Sequence, residues 1–356
     1  MTNSRALIAM SGGVDSSVAA YLTKNAGYEV IGATMQLYDG SGAGTELLSC
    51  SQNDVEDARR VADMLDIPFY ILDFKEDFRT KVIENFIKGY EAGITPNPCI
   101  DCNRYIKFDL MQKFAEEKEQ DFIITGHYAR IEYDSGSGRF LLKRSIDKRK
   151  DQSYVLFSLS QKQLAHTQFP LGEMSKEETR EIAELQGFEN AHKRESQDIC
   201  FIPDGDYAAY ISRYTGKDYP EGSFVYKDGT ILGRHRGIIR YTIGQRKGLG
   251  LSLTHPMYVC DKDMENNTII LAENEDLFSR SMEVYNFNWI ACETPKSDIR
   301  AEVKIRYGQK ANPARIIPLD AGRVKIEFEE AQRAVTKGQA AVLYDGDVVI
   351  GGGTIM

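Results

Sequence analysis

Nine residues near the start, Ala9-Met10-Ser11-Gly12-Gly13-Val14-Asp15-Ser16-Ser17, join an apolar run to a helix-like stretch from Val18 to Lys24. Two glycines allow a sharp turn in which successive backbone N–H groups converge on an anion. Ser16 and Ser17 add hydroxyl donors at a helix N-terminus, where the dipole also favours phosphate. No Lys-Ser/Thr follows the glycines and no GxGxxG is present, so neither a Walker A loop nor a dinucleotide fingerprint explains the segment. An ordinary Gly-Gly turn would leave the flanking serines and Asp15 without a purpose. The expected chemistry is the gripping of phosphates.

Cysteines are the second group with reactive potential. Cys99 and Cys102 form Cys-x-x-Cys within Pro96-Asn97-Pro98-Cys99-Ile100-Asp101-Cys102-Asn103, at the mouth of a helix-like stretch from Ile106 to Lys118. A helix N-terminus lowers thiol pKa and favours the thiolate. A redox pair, half of a metal site and sulfur transfer all remain open. A four-cysteine zinc site needs a second Cys-x-x-Cys, which the chain lacks. A thioredoxin-like motif is expected early in a small redox fold. Cys200, in Ser196-Gln197-Asp198-Ile199-Cys200-Phe201-Ile202, is either a buried apolar side chain or a third working thiol. Cys50, Cys260 and Cys292 read as structural, with Cys50 in a polar Ser-Cys-Ser loop.

These residues need elements to hold them. Arg5–Met10, Val30–Met35, Phe69–Asp73 and Phe122–Thr125 read as short buried strands. Amphipathic stretches lie between them; in Asn53–Leu65, for example, Val55, Ala58, Ala62 and Leu65 share one helical face. This alternation predicts an α/β domain with a doubly wound, Rossmann-like parallel sheet, whose ligands sit at the carboxyl ends of the strands. Ser11, Met35 and Gly126-His127 lie at or just past strand ends and can share one crevice. After about Asp206 the texture changes to Gly, Lys and Arg, with strand-like runs at Arg240–Ile243 and Met257–Cys260. Ala301–Arg306, Arg323–Phe328, Ala340–Tyr344 and Val348–Ile350 are short strands, with Asp345-Gly346 and Gly351-Gly352-Gly353 read as turns. The expected organisation is a catalytic domain over 1–206, a small middle domain over 207–280 and a β-barrel over 281–356.

The chain has 356 residues and a net charge of −9. No apolar stretch approaches the roughly 20 residues needed to span a bilayer, and no secretory signal is evident. Scattered cysteines fit reduced thiols, so a cytoplasmic setting without membrane attachment is expected. Overall acidity argues against nucleic acid only globally, because residues 207–260 carry 8 Lys and Arg against 3 Asp and Glu. Arg234, His235, Arg236, Arg240, Arg246 and Lys247, with Tyr241 interleaved, form one basic cluster. Lys143, Arg144, Lys148, Arg149 and Lys150 form another.

The SGGVDSS loop resembles the signature of the PP-loop ATP pyrophosphatases. Together with Asn97-Pro98-Cys99-Ile100-Asp101-Cys102-Asn103, Thr125-Gly126-His127-Tyr128-Ala129, Lys150-Asp151-Gln152-Ser153-Tyr154, Ser196 to Phe201, Tyr241 to Gly250 and Lys304-Ile305-Arg306-Tyr307, it resembles the tRNA-specific 2-thiouridylase family over essentially the whole chain. That resemblance implies adenylation by ATP, with Mg²⁺, of the C2 carbonyl oxygen of the wobble uridine U34. Sulfur from a cysteine persulfide then displaces AMP.

It implies that Cys200 carries the persulfide, and that Cys102 frees the sulfur and ends disulfide-bonded to Cys200. Ala9, Met10, Ser11, Gly12, Gly13, Val14, Asp15 and Ser16 would bind ATP, with Met35 and Gly126 on the nucleoside. Asn97, Pro98 and Cys99 would contact the target base. His127, Lys150, Asp151, Gln152, Arg306, Tyr307 and Gln339 would contact the tRNA anticodon stem-loop. A sulfur donor, such as a cysteine desulfurase or a sulfur-relay protein, is a further implied partner. Some relatives carry Asp at the position of Cys99, and Cys99, Cys102 and Cys200 could instead hold a [4Fe–4S] cluster. The rival functions are a lysidine synthetase, which needs no such thiols, an amide-forming ligase, which needs a glutaminase element not visible here, and a sulfur carrier that binds ATP without turnover.

Overall fold

A computed structural model describes residues 4–38, 52–193 and 199–356. Cys50, Ser196, Gln197 and Asp198 lie outside the described residues. The first half of the chain supplies strands β1 (Arg5–Ala9), β2 (Glu29–Gln36), β3 (Phe69–Asp73) and β4 (Phe122–Ile124), then a hairpin β5 (Ala129–Asp134) and β6 (Arg139–Arg144), then the short β7 (Thr167–Gln168). Strands β3-β2-β1-β4-β7 form a five-stranded sheet in that order, and every neighbouring pair is parallel. Alternate residues of β1 feed different cores. Leu7 packs with Ala33, Leu72 and Met111, while Ala6 and Ile8 pack with Val18, Ala58 and Ala62 of two helices. A strand buried on both faces must be apolar throughout, and Ala6, Leu7 and Ile8 are fully buried. The chain winds outward from β1 to β3 and returns to β4 on the other side of β1. The switch point therefore falls between β1 and β4, where α/β sheets open a ligand crevice.

Strands β8 (Gly222–Tyr226), β9 (Ile231–His235), β10 (Tyr258–Asp263) and β11 (Thr268–Ala272) make a separate sheet in the order β10-β11-β8-β9. The expected strand at Arg240–Ile243 is not formed. Ile238–Arg240 is a single tight helical turn, because Ile238, Ile239 and Tyr241 all turn inward on the core shared with Phe224. Tyr241 is buried against Phe224 and His235, so it is not interleaved among exposed cations.

The remaining strands, β12 (Phe278–Trp289), β13 (Ile299–Lys304), β14 (Asn312–Pro318), β15 (Val324–Arg333), β16 (Ala340–Asp345) and β17 (Val348–Ile355), pair antiparallel as β12-β15-β14-β13-β16-β17. A further β12–β17 pairing closes them into a six-stranded barrel. Val324, Ile326 and Phe328 point inward at period two, and Val303, Ile316 and Leu343 fill the same interior. Gly351-Gly352-Gly353 is not a turn but the middle of β17. A Cβ on Gly352 would stand 2.7 Å from the Phe157 ring, and one on Gly351 would stand 2.4 Å from Asn288 O. The glycines let β12 and the catalytic domain close on this strand from both sides.

Hairpin β5–β6 extends the barrel sheet through Val348 and Lys143, so the catalytic domain is stitched into the barrel. The Asn288 side-chain amide donates to Phe157 O at 2.8 Å and Leu159 O at 2.9 Å across the same junction.

Candidate active site

The turn from Ser11 to Ser16 sits at the carboxyl end of β1. Gly12 has φ +71°, and a Cβ there would stand 2.3 Å from the Asp54 carbonyl, so only glycine fits. The helix Val14–Asn25 starts at once behind Gly13, which has no side chain to cap it. Ser16 Oγ and Ser17 Oγ both donate back to Gly13 O, at 3.0 and 3.1 Å, and Ser16 Oγ accepts the Ser11 N–H at 3.1 Å. These hydroxyls brace the turn rather than standing free as donors. Among the described residues the N–H groups of Gly12 to Ser16 have no acceptor. Consecutive free amides at a helix start are a nest for an anion. The Met10 and Val14 side chains are core, so those residues can offer a ligand only backbone.

Gly126, at the end of β4, closes the other wall. A Cβ there would stand 2.7 Å from Asp15 C and 2.8 Å from Ser16 N. The next residue, His127, leads to the thiols: its ring centroid lies 5.9 Å from that of Phe108 and 5.8 Å from that of Phe169. Nδ1 is 2.7 Å from Thr125 Oγ1, and burial holds the imidazole neutral, well below the usual histidine range. His127 thus packs between rings rather than presenting a charge to RNA.

Phe108 belongs to the thiol helix, which runs from Pro98 to Glu117 with wide i→i+5 turns across Cys102–Leu110. Pro98 suits the first helical position, and the Asn97 side chain caps the start by accepting the Cys99 N–H at 3.1 Å. Cys99 is exposed, yet desolvation raises its thiol pKa, as expected on the wall of a concave crevice. Cys102 is buried, and burial pushes its thiol up to about 11 despite Lys107. At both cysteines burial, rather than the helix start, sets the direction of the shift and favours the protonated thiol. Cys102 shares one apolar cluster with Phe201 and Ile202, and Cys200, Met35 and Tyr38 pack against it. Tyr38 OH donates to Cys200 O at 3.0 Å. Among the described residues no three His, Cys, Asp or Glu side chains converge on a metal position, so Cys99, Cys102 and Cys200 do not form an iron–sulfur ligand set in this arrangement.

Known families match along the whole chain. The model of the tRNA methyl transferase HUP domain matches residues 4–204, that of the tRNA methyl transferase PRC-barrel domain 208–273, and that of the aminomethyltransferase beta-barrel domain 279–355. The chain is 51% identical over 354 residues to the tRNA-specific 2-thiouridylase MnmA of Clostridioides difficile, covering 99% of this chain and 98% of that one. It is 49% identical to the protein of that name from Clostridium botulinum, over 100% of this chain and 98% of the relative. For the Acetivibrio thermocellus protein the identity is 47%, with 100% of each chain covered. The chain belongs to the tRNA-specific 2-thiouridylase family.

The residues that the 2-thiouridylase resemblance assigns to RNA fall into two groups. Tyr307 is exposed, with Lys304 5.8 Å from its ring centroid; Arg246 and Lys247, which belong to the first basic cluster and not to those assignments, are also exposed, with no ion-pair partner among the described residues. The others are already engaged inside the fold. The buried Asp151 carboxylate accepts the Ser145 and Ser153 N–H groups and the Ser153 hydroxyl. Gln152 exchanges hydrogen bonds with the Tyr128 backbone at 2.8 and 2.9 Å. Arg306 donates to Ala334 O at 2.6 Å. Gln339 donates to Thr95 O at 2.7 Å, and Thr95 N–H donates to Lys337 O at 2.9 Å, so the barrel grips the chain just ahead of Asn97. In the second basic cluster Lys143 pairs with Glu132, and Arg149 with Asp147 and Glu177.

Sequence reasoning missed the groups that hold the nest from behind. Asn190 Nδ2 donates to Gly12 O and Ser17 Oγ, both at 3.0 Å. Lys193 joins Asp54 and Asp57, at 2.5 and 2.6 Å, beneath the same turn. Lys176 pairs with Asp15. A Ser175-x-x-Glu178 capping box was visible upstream of a helix, but nothing in it pointed at a loop about 160 residues away. Asp101, between the two thiols, has a carboxyl pushed up to about 6 by burial.

Proposed function

We propose that this enzyme adenylates the C2 carbonyl oxygen of U34 in tRNA with ATP and replaces that oxygen with sulfur, giving 2-thiouridine, AMP and pyrophosphate. The observation that carries the reading is the presence in one domain of a free-amide nest at the carboxyl end of β1 and of Cys102 and Cys200 in one apolar cluster, against which Met35 near the end of β2 also packs. An anion nest alone serves many reactions, and thiols alone serve others. Together they suit activation by ATP followed by sulfur attack.

ATP enters as its Mg²⁺ complex, with its phosphates on the amides of Gly12 to Ser16 and its nucleoside against Met35 and Gly126. The uridine O2 attacks the α-phosphorus and pyrophosphate leaves. An amide-type oxygen is a poor leaving group, whereas AMP departs readily. The terminal sulfur of a Cys200 persulfide attacks C2, AMP leaves, and the base is held through a disulfide to Cys200. The Cys102 thiolate attacks Cys200 Sγ, which breaks that S–S bond, releases 2-thiouridine and leaves a Cys102–Cys200 disulfide. An external thiol reduces the disulfide, and a sulfur donor such as a cysteine desulfurase or relay protein reloads Cys200. No step passes through a cluster, which the present arrangement of thiols does not fit.

The target base must leave the anticodon loop to reach the crevice, as enzymes acting on bases require. Arg246, Lys247 and Tyr307 lie on surfaces suited to holding the stem-loop. Incubation with MgATP, a persulfide or sulfide source and unmodified U34 tRNA, followed by nucleoside mass analysis, tests the proposal. The expected product is 2-thiouridine, and its absence from folded, sulfur-loaded enzyme overturns the reading.

A further inference from the structure

Asp15 lies in the first turn of the helix that forms the nest, where a carboxylate ordinarily turns toward the free N–H groups and occupies them. Left there, it would compete with the phosphates and place a like charge beside them. The structure shows it drawn away. Asp15 Oδ1 receives the Lys176 ammonium at 2.6 Å and the Tyr128 hydroxyl at 2.9 Å. Tyr128 OH also lies 3.0 Å from Thr179 Oγ1, and Lys176 Nζ is 5.7 Å from the Tyr128 ring centroid. The Lys176 side chain is only 5% exposed, so it does not reach out to a ligand in the crevice. Its place is fixed: it is the first residue of the helix Lys176–Leu185, behind the Ser175 capping box, and its N–H donates to Asp147.

We infer that Lys176 is a positioning residue that turns and neutralises Asp15, keeping the amides of Gly12 to Ser16 open to the pyrophosphate portion of ATP. Burying a lysine is costly, and a pair serving stability alone could be replaced by apolar side chains. Here the pair links three segments distant in sequence, the phosphate turn, the end of β4 and the helix after residue 175, at the point where an unpaired carboxylate would do most harm. Tyr128 carries the same duty more weakly, through a neutral hydrogen bond.

The inference rests on the reading of the turn as an ATP phosphate site, and the test separates the two. Binding of inorganic pyrophosphate and of adenosine is measured by calorimetry for the unaltered enzyme, Lys176→Met and Lys176→Met/Asp15→Asn, each shown folded by its melting curve. If the unaltered enzyme binds neither ATP nor pyrophosphate, the site reading fails. If it binds them, Lys176→Met is expected to weaken pyrophosphate about tenfold or more, while adenosine, which is uncharged, is held as before. The double variant, in which the loose carboxylate is gone, should regain most of that loss. Equal pyrophosphate affinity in Lys176→Met, or parallel loss of adenosine, overturns the role. A double variant no better than the single one also overturns it.

Discussion

The two ends of the crevice are built on opposite plans. At the phosphate end every side chain is committed: Ser16 and Ser17 to Gly13 O, Asp15 to Lys176 and Tyr128, and Asn190 to Gly12 O, while the backbone amides alone stay free. At the thiol end the backbone is capped, and the reactive atoms sit desolvated, with Cys102 near pKa 11. Electrostatic preorganisation costs nothing at the moment of reaction and suits an anion that is always handled the same way. A thiolate kept ready would instead attack other electrophiles or be oxidised between turnovers. The first region is poised, and the second waits for its substrate.

Substitution at each end should expose this difference. Cys200→Ser is expected to abolish 2-thiouridine formation while ATP and tRNA binding survive, as measured by nucleoside mass analysis and filter binding. Normal product would remove Cys200 from the mechanism. Gly12→Ala strikes the other end: with φ +71° and a backbone carbonyl 2.3 Å from the new Cβ, it should cost about 2–4 kcal/mol and most ATP affinity. Wild-type melting and ATP titration curves would show that the turn is more pliant than described.

A third test is pH. Below a pKa of about 11 the Cys102 thiolate fraction rises about tenfold per unit, so single-turnover release of product from preloaded persulfide should accelerate from pH 7 to pH 9. The ATP-binding end, made of amides, should show no such slope, and a flat release profile would contradict a resting, protonated Cys102. The smallest effect is expected from Gln339→Ala, which removes the bond to Thr95 O. It should cost about 1 kcal/mol in melting experiments and lower kcat more than it weakens tRNA binding. A loss confined to tRNA affinity would make Gln339 an RNA contact instead.

The strands of the parallel sheet were legible because burial on both faces leaves continuous apolar runs, as in Ala6-Leu7-Ile8, bounded by turn residues. The phosphate turn was legible because Gly12 and Gly13 have no other use at that point. Its supports were not: Lys176, Asn190 and Lys193 reach it through folding over more than 150 residues, and local sequence carries no mark of such contacts. Gly351 to Gly353 misled because glycine signals both turns and close backbone approach, and only the barrel closure distinguishes the two. Tyr241 misled because an aromatic among arginines fits RNA stacking as well as the core it fills with Phe224. The pairing of Gln339 with Thr95 joins residues 244 positions apart and had no sequence signature.

The central claim, that one end of the crevice prepares a leaving group for the other, can be followed by isotope. U34 labelled with ¹⁸O at the C2 carbonyl is converted under single-turnover conditions, and the released AMP is analysed by mass spectrometry. The account predicts that the label moves into the phosphate of AMP in proportion to the 2-thiouridine formed. Label found in water or pyrophosphate, with unlabelled AMP, would contradict it.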